Sequence, residues 1–211
     1  MAAPRLNTRS LLVAATRLAA ADPVLGASVD RYGPPPLWAR EANYATLVHL
    51  ILEQQVSLAS AQAAFDRLMI ELGGEVTPVG LLTLNDERLH AVGFSRQKTG
   101  YARELARAMQ DGFDLTALAS MPDDDVRAAL TRHRGIGRWT ADIYLTMCLL
   151  RPDVWPRGDL ALRTAAAEVA GASKPSDEEL CVIAERWRPH RAVAARILWH
   201  DYLRRRGLPV D

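Results

Sequence analysis

Apolar residues recur every three to four positions along most of the chain, which is the spacing of amphipathic helices. Period-two runs of β-branched and aromatic residues, which would indicate strands, are missing. The pattern predicts a helix over 8–21, a Pro/Gly-rich loop over 33–37, and two helices within 43–72 that are separated by a break near 54–57. It therefore predicts an all-α fold.

Polar caps and helix-breaking residues predict the remaining helices. Thr83 with Asp86, and Ser176 with Glu179, have the spacing of capping boxes. The first of these predicts a helix that runs to Ala91. Further helices are expected from Ser95 to about Gln110, from Pro122 to about His133, from Trp139 to Leu150, from Asp159 to Gly171, from Ser176 to Trp187, and beyond Pro189 to about Arg206. The sum is a globule of about ten helices.

Composition excludes several classes of protein. The 211 residues suit one large domain or two small lobes, and the net charge of +1 means that any DNA-binding face must come from local clustering. Two cysteines cannot supply the four thiolates of an iron–sulfur cluster, and the five histidines lack a metal-ligand spacing. No apolar run is long enough to span a membrane, so we expect a cytoplasmic protein that does not bind membranes.

The most informative stretch is a tight turn, Gly135-Ile136-Gly137, between two predicted helices. Its glycines allow positive φ and close approach of another backbone. Free amides at the start of the next helix suit a phosphate. Arg134, Arg138 and Thr140 complete a candidate DNA-binding hairpin, although a bare helical hairpin with a glycine turn has the same spacing.

Three segments together resemble the helix-hairpin-helix DNA glycosylase superfamily. They are GIGRWTA at 135–141, AERWRPHRAVAARILW at 184–199 and LILEQQVSLASAQ at 50–62. They are most similar to the alkylpurine branch, the AlkA-like 3-methyladenine glycosylases II, in a compact form without an N-terminal β-domain. The resemblance spans about residues 40–206. It implies one glycosylase domain over 1–211 with two lobes and the active site in the cleft between them, a helix-hairpin-helix at about 123–150, and a Gly/Pro loop leading to a catalytic aspartate within 151–159.

The family pattern places its catalytic carboxylate at Asp159. By its own position Asp159 is also an N-cap candidate, and both roles can hold. A carboxylate against the sugar stabilises the positive charge that develops when an N-glycosidic bond breaks. An alkylated purine is already cationic, so no separate general acid is required.

Members that also cleave the strand use a lysine that attacks the sugar. In their motif this lysine falls where Trp139 stands here, and the two lysines, Lys98 and Lys174, lie elsewhere. The resemblance therefore implies a monofunctional hydrolase without AP lyase activity.

The same resemblance implies further site residues. It places Trp139 and Trp199 in a pocket for the flipped base, with Tyr144 one position later than the aromatic residue of larger relatives and Ile143 in its place. It places a minor-groove wedge at Gln54, Gln55 and Ser57. No cofactor is required, but a monovalent cation (Na or K) at the hairpin is possible through the backbone carbonyls of Thr131, His133 and Ile136.

The resemblance implies base excision repair of double-stranded DNA carrying 3-methyladenine or 7-methylguanine, by a monomer that would be associated with the nucleoid in a bacterium. Two alternatives stay open: a non-catalytic DNA-binding module, and a glycosylase for ethenoadenine, hypoxanthine or oxidised bases. A basic run is either a solvated helix face or a strip that follows phosphates; it consists of Arg186, Arg188, Arg191, Arg196 and Arg204–Arg206.

Overall fold

A computed structural model describes residues 4–210, and within that range every regular element is helical. This confirms the predicted all-α class. The helices are α1 (Thr8–Ala21), α2 (Pro23–Tyr32), α3 (Tyr44–Glu53), α4 (Leu58–Glu71), α5 (Pro78–Thr83), α6 (Asp86–Ala91), α7 (Arg96–Gln110), α8 (Asp123–Thr131), α9 (Arg138–Ile143), α10 (Leu160–Ala170), α11 (Asp177–Ala184) and α12 (Arg191–Arg205). Short 3-10 turns lie at Ala117–Ser120 and Glu185–Trp187.

The chain forms two compact units. Unit 1 contains the chain up to Ala39 and from Leu145 onward, and unit 2 runs from Arg40 to Tyr144. In unit 1, α12 packs against α1, α2 and α10, and its residues from Ala192 to Asp201 are all buried. In unit 2, α7 packs against α3, α5 and α6.

Most of the predicted helix ends are confirmed by their capping bonds. Ser95 accepts a hydrogen bond from the Lys98 amide at the start of α7, and Ser176 with Glu179 forms the capping box of α11. Asp159 caps α10, which ends at Gly171 in the left-handed conformation.

Two local predictions were wrong, and two helices, α2 and α5, were not predicted. Asp22 caps α2, which buries only Leu25 and Ser28, so its apolar stripe is weak. Thr83 ends α5, and Asn85 is the cap of α6 instead. The single helix expected from 139 to 150 is α9 followed by a π-helical turn over 144–148. No helix in the described residues is long and apolar enough to cross a membrane.

Candidate functional site

The turn between α8 and α9 is built around two glycines with different surroundings. Gly135 has a φ of 86°, and a Cβ there would lie 2.1 Å from Cδ2 of Tyr101. Gly137 is the N-cap of α9 with an ordinary φ of −87°, and a Cβ there would meet no atom within 4 Å. Ile136, between them, is buried. The fold therefore requires glycine at 135, whereas Gly137 leaves space beside its backbone.

Residues distant in sequence hold this hairpin. The Glu104 carboxylate accepts the Arg134 amide at 2.7 Å, and it lies 3.2 Å from Nδ1 of His133. Nε2 of Gln54 donates to the Gly135 carbonyl at 2.7 Å and to the Thr140 hydroxyl at 3.1 Å. Each of these contacts joins residues at least 29 positions apart. The conformation of the hairpin is thus set by tertiary contacts.

A buried carboxylate orients one of the predicted DNA-binding arginines. Asp142 has no exposed surface; its Oδ1 accepts from Nε of Arg127 at 2.6 Å and its Oδ2 from Nε of Arg138 at 2.9 Å. The Arg138 side chain is 52% exposed. Arg138 therefore points outward from a fixed base, since Asp142 holds the inner edge of its guanidinium.

The turn between α3 and α4 contains the three predicted wedge residues, and they are not equivalent. Gln54 is bonded to the hairpin, and Ser57 caps α4. Gln55 is exposed and has a φ of 59°. Lys98 donates from Nζ to the carbonyls of Leu52 at 2.8 Å and Gln54 at 3.0 Å. Gln55 is therefore the best placed of the three to enter a duplex.

Two residues predicted to line the base pocket lie in the protein interior. Ile143 is 3% exposed and Tyr144 has no exposed surface. Ile143 is the last residue of α9, and Tyr144 is the first residue of the π-helical turn. Because neither presents a surface to a base, we leave them out of the proposed pocket. Trp139, by contrast, is half-buried on the first turn of α9.

Asp159 and Trp199 meet in unit 1. The Asp159 carboxylate is 8% exposed, and its Oδ1 accepts the Leu162 amide at 2.9 Å and Nε1 of Trp199 at 3.3 Å. Trp199 is also 8% exposed. The N-cap role and the contact with the indole fix the direction of this carboxylate. The sequence resemblance predicted both residues, but not the bond between them.

The loop that leads to Asp159 is anchored by α11. Gly158 has a φ of 76°, and its amide donates to Oδ1 of Asp177 at 2.6 Å. Nε of Arg157 lies 3.8 Å from Oδ2 of the same carboxylate. Asp177 therefore holds the two residues that precede Asp159. Sequence reasoning missed this role, because Asp177 reads as an ordinary first-turn acidic residue.

The carboxylate nearest to Asp159 in the sequence, Asp153, and the two lysines all have structural partners. Asp153 lies in a loop, where its carboxylate accepts from Arg188 at 2.8 Å and from Arg191 at 3.0 Å. The Lys174 ammonium donates to the Thr164 hydroxyl at 2.8 Å, and that of Lys98 holds the α3–α4 turn.

The basic run near α12 is not one phosphate-binding strip. Arg186 pairs with Asp22, and Arg188 and Arg191 pair with Asp153. Arg196 is fully buried and donates to backbone carbonyls of residues 37, 146 and 192. Burial lowers the pKa of Arg196 to about 10, so it keeps its charge at neutral pH. It ties the interior of unit 1 together and is not available to DNA.

The predicted cation ligands lie at the end of α8 and in the hairpin. The carbonyl of His133 accepts the Ile136 amide at 3.1 Å, and Thr131 is the last residue of α8. Backbone carbonyl oxygens suit a hard cation, so the donor chemistry fits, and the site stays a prediction. Within residues 4–210, no group of three or more His, Cys, Asp or Glu side chains could hold a metal ion.

Comparisons with known proteins show the family to which this chain belongs. Residues 48–189 match the family described as "HhH-GPD superfamily base excision DNA repair protein". The alkylbase DNA glycosidase-like protein mag2 of Schizosaccharomyces pombe is 27% identical over 85% of this chain and 88% of its own length. The putative DNA-3-methyladenine glycosylase YfjP of Bacillus subtilis is 26% identical over 84% of this chain and 65% of its own.

A solved structure is similar over nearly the same span. The 3-methyladenine DNA glycosylase Mag1 of Schizosaccharomyces pombe, in complex with abasic DNA, superposes with a TM-score of 0.79 at 27% identity, covering 88% of this chain and 94% of that one. The family match covers more than half of the chain and includes the hairpin and Asp159. The chain belongs to the HhH-GPD superfamily of base excision DNA repair proteins.

Proposed function

We propose that this chain is a monofunctional DNA glycosylase that hydrolyses the N-glycosidic bond of 3-methyladenine and 7-methylguanine in double-stranded DNA and leaves an abasic site. The observation that carries the proposal is the buried Asp159 carboxylate, which is fixed by its helix cap and by the Trp199 indole. The names of the relatives, which include alkylbase and 3-methyladenine glycosylases, support the substrate class.

Hydrolysis of the N-glycosidic bond requires one negative charge that is shielded from water. As the bond between C1′ and the purine nitrogen breaks, its electron pair moves to the base and neutralises the cationic ring. Positive charge then develops on the sugar, and a carboxylate shielded from water stabilises it more than one in bulk solvent. Asp159 would also orient the water that adds to C1′, whose proton passes to the carboxylate or to solvent. The bond from Trp199 keeps the carboxylate aligned while charge develops.

The target base must leave the stack before this step. An electron-poor alkylpurine is attracted to aromatic faces, so Trp199 is proposed as one wall of the base pocket. The role predicted for Trp139 on α9 stays a prediction. Gln55 is proposed to fill the space in the duplex, where its amide can hydrogen-bond base edges in the minor groove.

The hairpin is proposed to grip the DNA backbone. Space beside Gly137 allows a phosphate to approach the backbone, and Arg134 and Arg138 add positive charge. A cation held by the carbonyls of the hairpin would supply further positive charge beside that phosphate.

Monofunctional action is supported by the surroundings of the lysines. Lys98 is bonded to the α3–α4 turn and Lys174 to Thr164, while Trp139 takes the position of the lyase residue in the family motif. Without an amine to attack C1′, hydrolysis by water is the remaining route.

The deciding experiment measures release of methylated purines from alkylated duplex DNA. We expect the wild type to release 3-methyladenine and 7-methylguanine, and Asp159→Asn to lose at least about a hundredfold in rate. Asparagine is also a good N-cap, so the fold should be kept. Asp153→Asn is the matched control and should keep most of the activity. If the wild type releases neither base, the proposal fails.

Lyase activity has its own test. The strand should break at the product site only after hot alkali, and borohydride should trap no covalent complex. Strand breakage without alkali, together with a trapped complex, would refute the monofunctional part of the proposal.

A further inference from the structure

The exposed α3–α4 turn is held by two side chains that reach it from different parts of unit 2. Lys98 binds two of its carbonyls, and Gln54 binds the hairpin through its amide. We propose that Gln54 and Lys98 are positioning residues that hold Gln55 ready to enter the duplex, in register with the hairpin that grips the backbone. This inference rests on the proposed function, because it concerns how that enzyme opens its substrate.

The first argument is the backbone of Gln55. Its φ of 59° lies in the left-handed region, which residues other than glycine seldom adopt. Such a conformation persists only where surrounding contacts over-determine it. The neighbouring Val56 is also exposed and offers no buried anchor. The restraint on Gln55 must therefore come from the residues beside it in the turn.

Lys98 supplies one restraint. Helix α3 ends at Glu53, and the last carbonyls of a helix have no partner within it. The ammonium of Lys98 bonds two of the carbonyls at this end, those of Leu52 and Gln54. Partial burial of the ammonium beside these carbonyls lowers the pKa of Lys98.

Gln54 supplies the second restraint and links the turn to the hairpin. One amide nitrogen donates to the Gly135 carbonyl in the glycine turn and to the Thr140 hydroxyl on α9. The residue before Gln55 is therefore tied to both sides of the hairpin. When the hairpin binds a phosphate, these bonds keep Gln55 at a fixed distance from that phosphate. Binding of the backbone therefore positions Gln55 for insertion.

Gln54→Met tests the link, because it keeps the length of the side chain and removes the donor. Its matched control is Gln62→Met on α4, where Gln62 bonds Asp66 at 2.7 Å on the surface. The substrates are a duplex with 7-methylguanine paired to cytosine and a duplex in which the same base lies in a bulge, where unpairing is already complete.

We expect Gln54→Met to lower the single-turnover excision rate about tenfold on the paired duplex, the scale of one or two hydrogen bonds, and to change the bulge rate little. Lys98→Met should give the same selective loss. In a Gln55→Ala background, Gln54→Met should have no further effect on the ratio of the two rates, because it acts through Gln55. Gln62→Met should leave the ratio at the wild-type value.

Equal losses on both substrates, or a Gln54 effect that persists in full without Gln55, would overturn the inference. A thermal unfolding midpoint of Gln54→Met that is low enough to account for its slower excision would also overturn the inference. A duplex with 2-aminopurine beside the lesion reports unstacking on binding alone. If the wild type excises nothing, the proposed function fails. The positioning role would still be supported if binding raises the 2-aminopurine fluorescence, Gln54→Met reduces that rise and Gln62→Met does not.

Discussion

The hairpin glycines make a paired prediction in which one substitution damages the fold and the other damages DNA binding. In Gly135→Ala the new Cβ would lie 2.1 Å from Cδ2 and 2.2 Å from Cγ of Tyr101. The ring would have to withdraw by more than 1 Å to reach the 3.4 Å of an ordinary contact. The alanine would also hold a φ of 86°, which glycine adopts without strain.

The two effects can be sized separately. A left-handed conformation costs an alanine about 1–2 kcal/mol, and overpacking costs about 1–3 kcal/mol. We therefore expect Gly135→Ala to lower the free energy of unfolding by about 2–5 kcal/mol, and the thermal midpoint by roughly 5–15 °C for a chain of this size. In a Tyr101→Ala background the steric part should vanish, leaving about 1–2 kcal/mol.

Gly137→Ala is the comparison. Its φ is ordinary and its Cβ would meet nothing, so unfolding should change by no more than about 1 kcal/mol, the preference for glycine over alanine at an N-cap. Its affinity for duplex DNA should nevertheless fall, because the methyl group would occupy the space in which the proposed function places a phosphate. Urea unfolding and fluorescence anisotropy measure the two quantities. Equal stability losses at 135 and 137, or no coupling to Tyr101, would refute this reasoning.

Three further predictions concern two carboxylates that support the site and two histidines whose pKa values are lowered by burial. Asp142→Asn leaves two guanidinium groups around a neutral amide, and should lower the free energy of unfolding by about 3 kcal/mol in urea titrations; an unchanged value would contradict the buried pairing. Asp177→Ala removes the acceptor of the Gly158 amide and should slow excision about tenfold, whereas the neighbouring Glu178→Ala should not. Burial lowers the pKa values of His200 and His49 below 6.5, so the unfolded chain binds protons more tightly and the free energy of unfolding should fall as the pH drops below 6.5. His200→Gln should reduce that slope, and an unchanged slope would count against His200.

Local signals in the sequence were sufficient for much of the fold. The capping residues Ser95 and Asp159 mark true helix starts, and Gly171 marks a true end. Each depends on bonds within one turn, which is why sequence spacing predicts it. The π-helical turn after α9 gave no such signal. Its first residue, Tyr144, is buried, although a place in the base pocket was predicted for it.

The residues that hold the site in place could not be predicted from local spacing. Gln54 contacts a carbonyl 81 positions away, and Asp177 a backbone amide 19 positions away. Such pairs are decided by tertiary packing, and their residue types are common at surfaces. Arg138 and Asp142 have the spacing of four that joins side chains on one helix, but the pair was not predicted, because the expected helix begins at Trp139.

The most direct test of the account uses one duplex with a single 7-methylguanine, on which excision and binding are measured together. For Asp159→Asn we predict a single-turnover rate at least about a hundredfold below that of the wild type, with an affinity for the same duplex within about threefold, since the hairpin is untouched. An excision rate for Asp159→Asn within threefold of the wild type would contradict the central claim that this carboxylate drives breakage of the glycosidic bond.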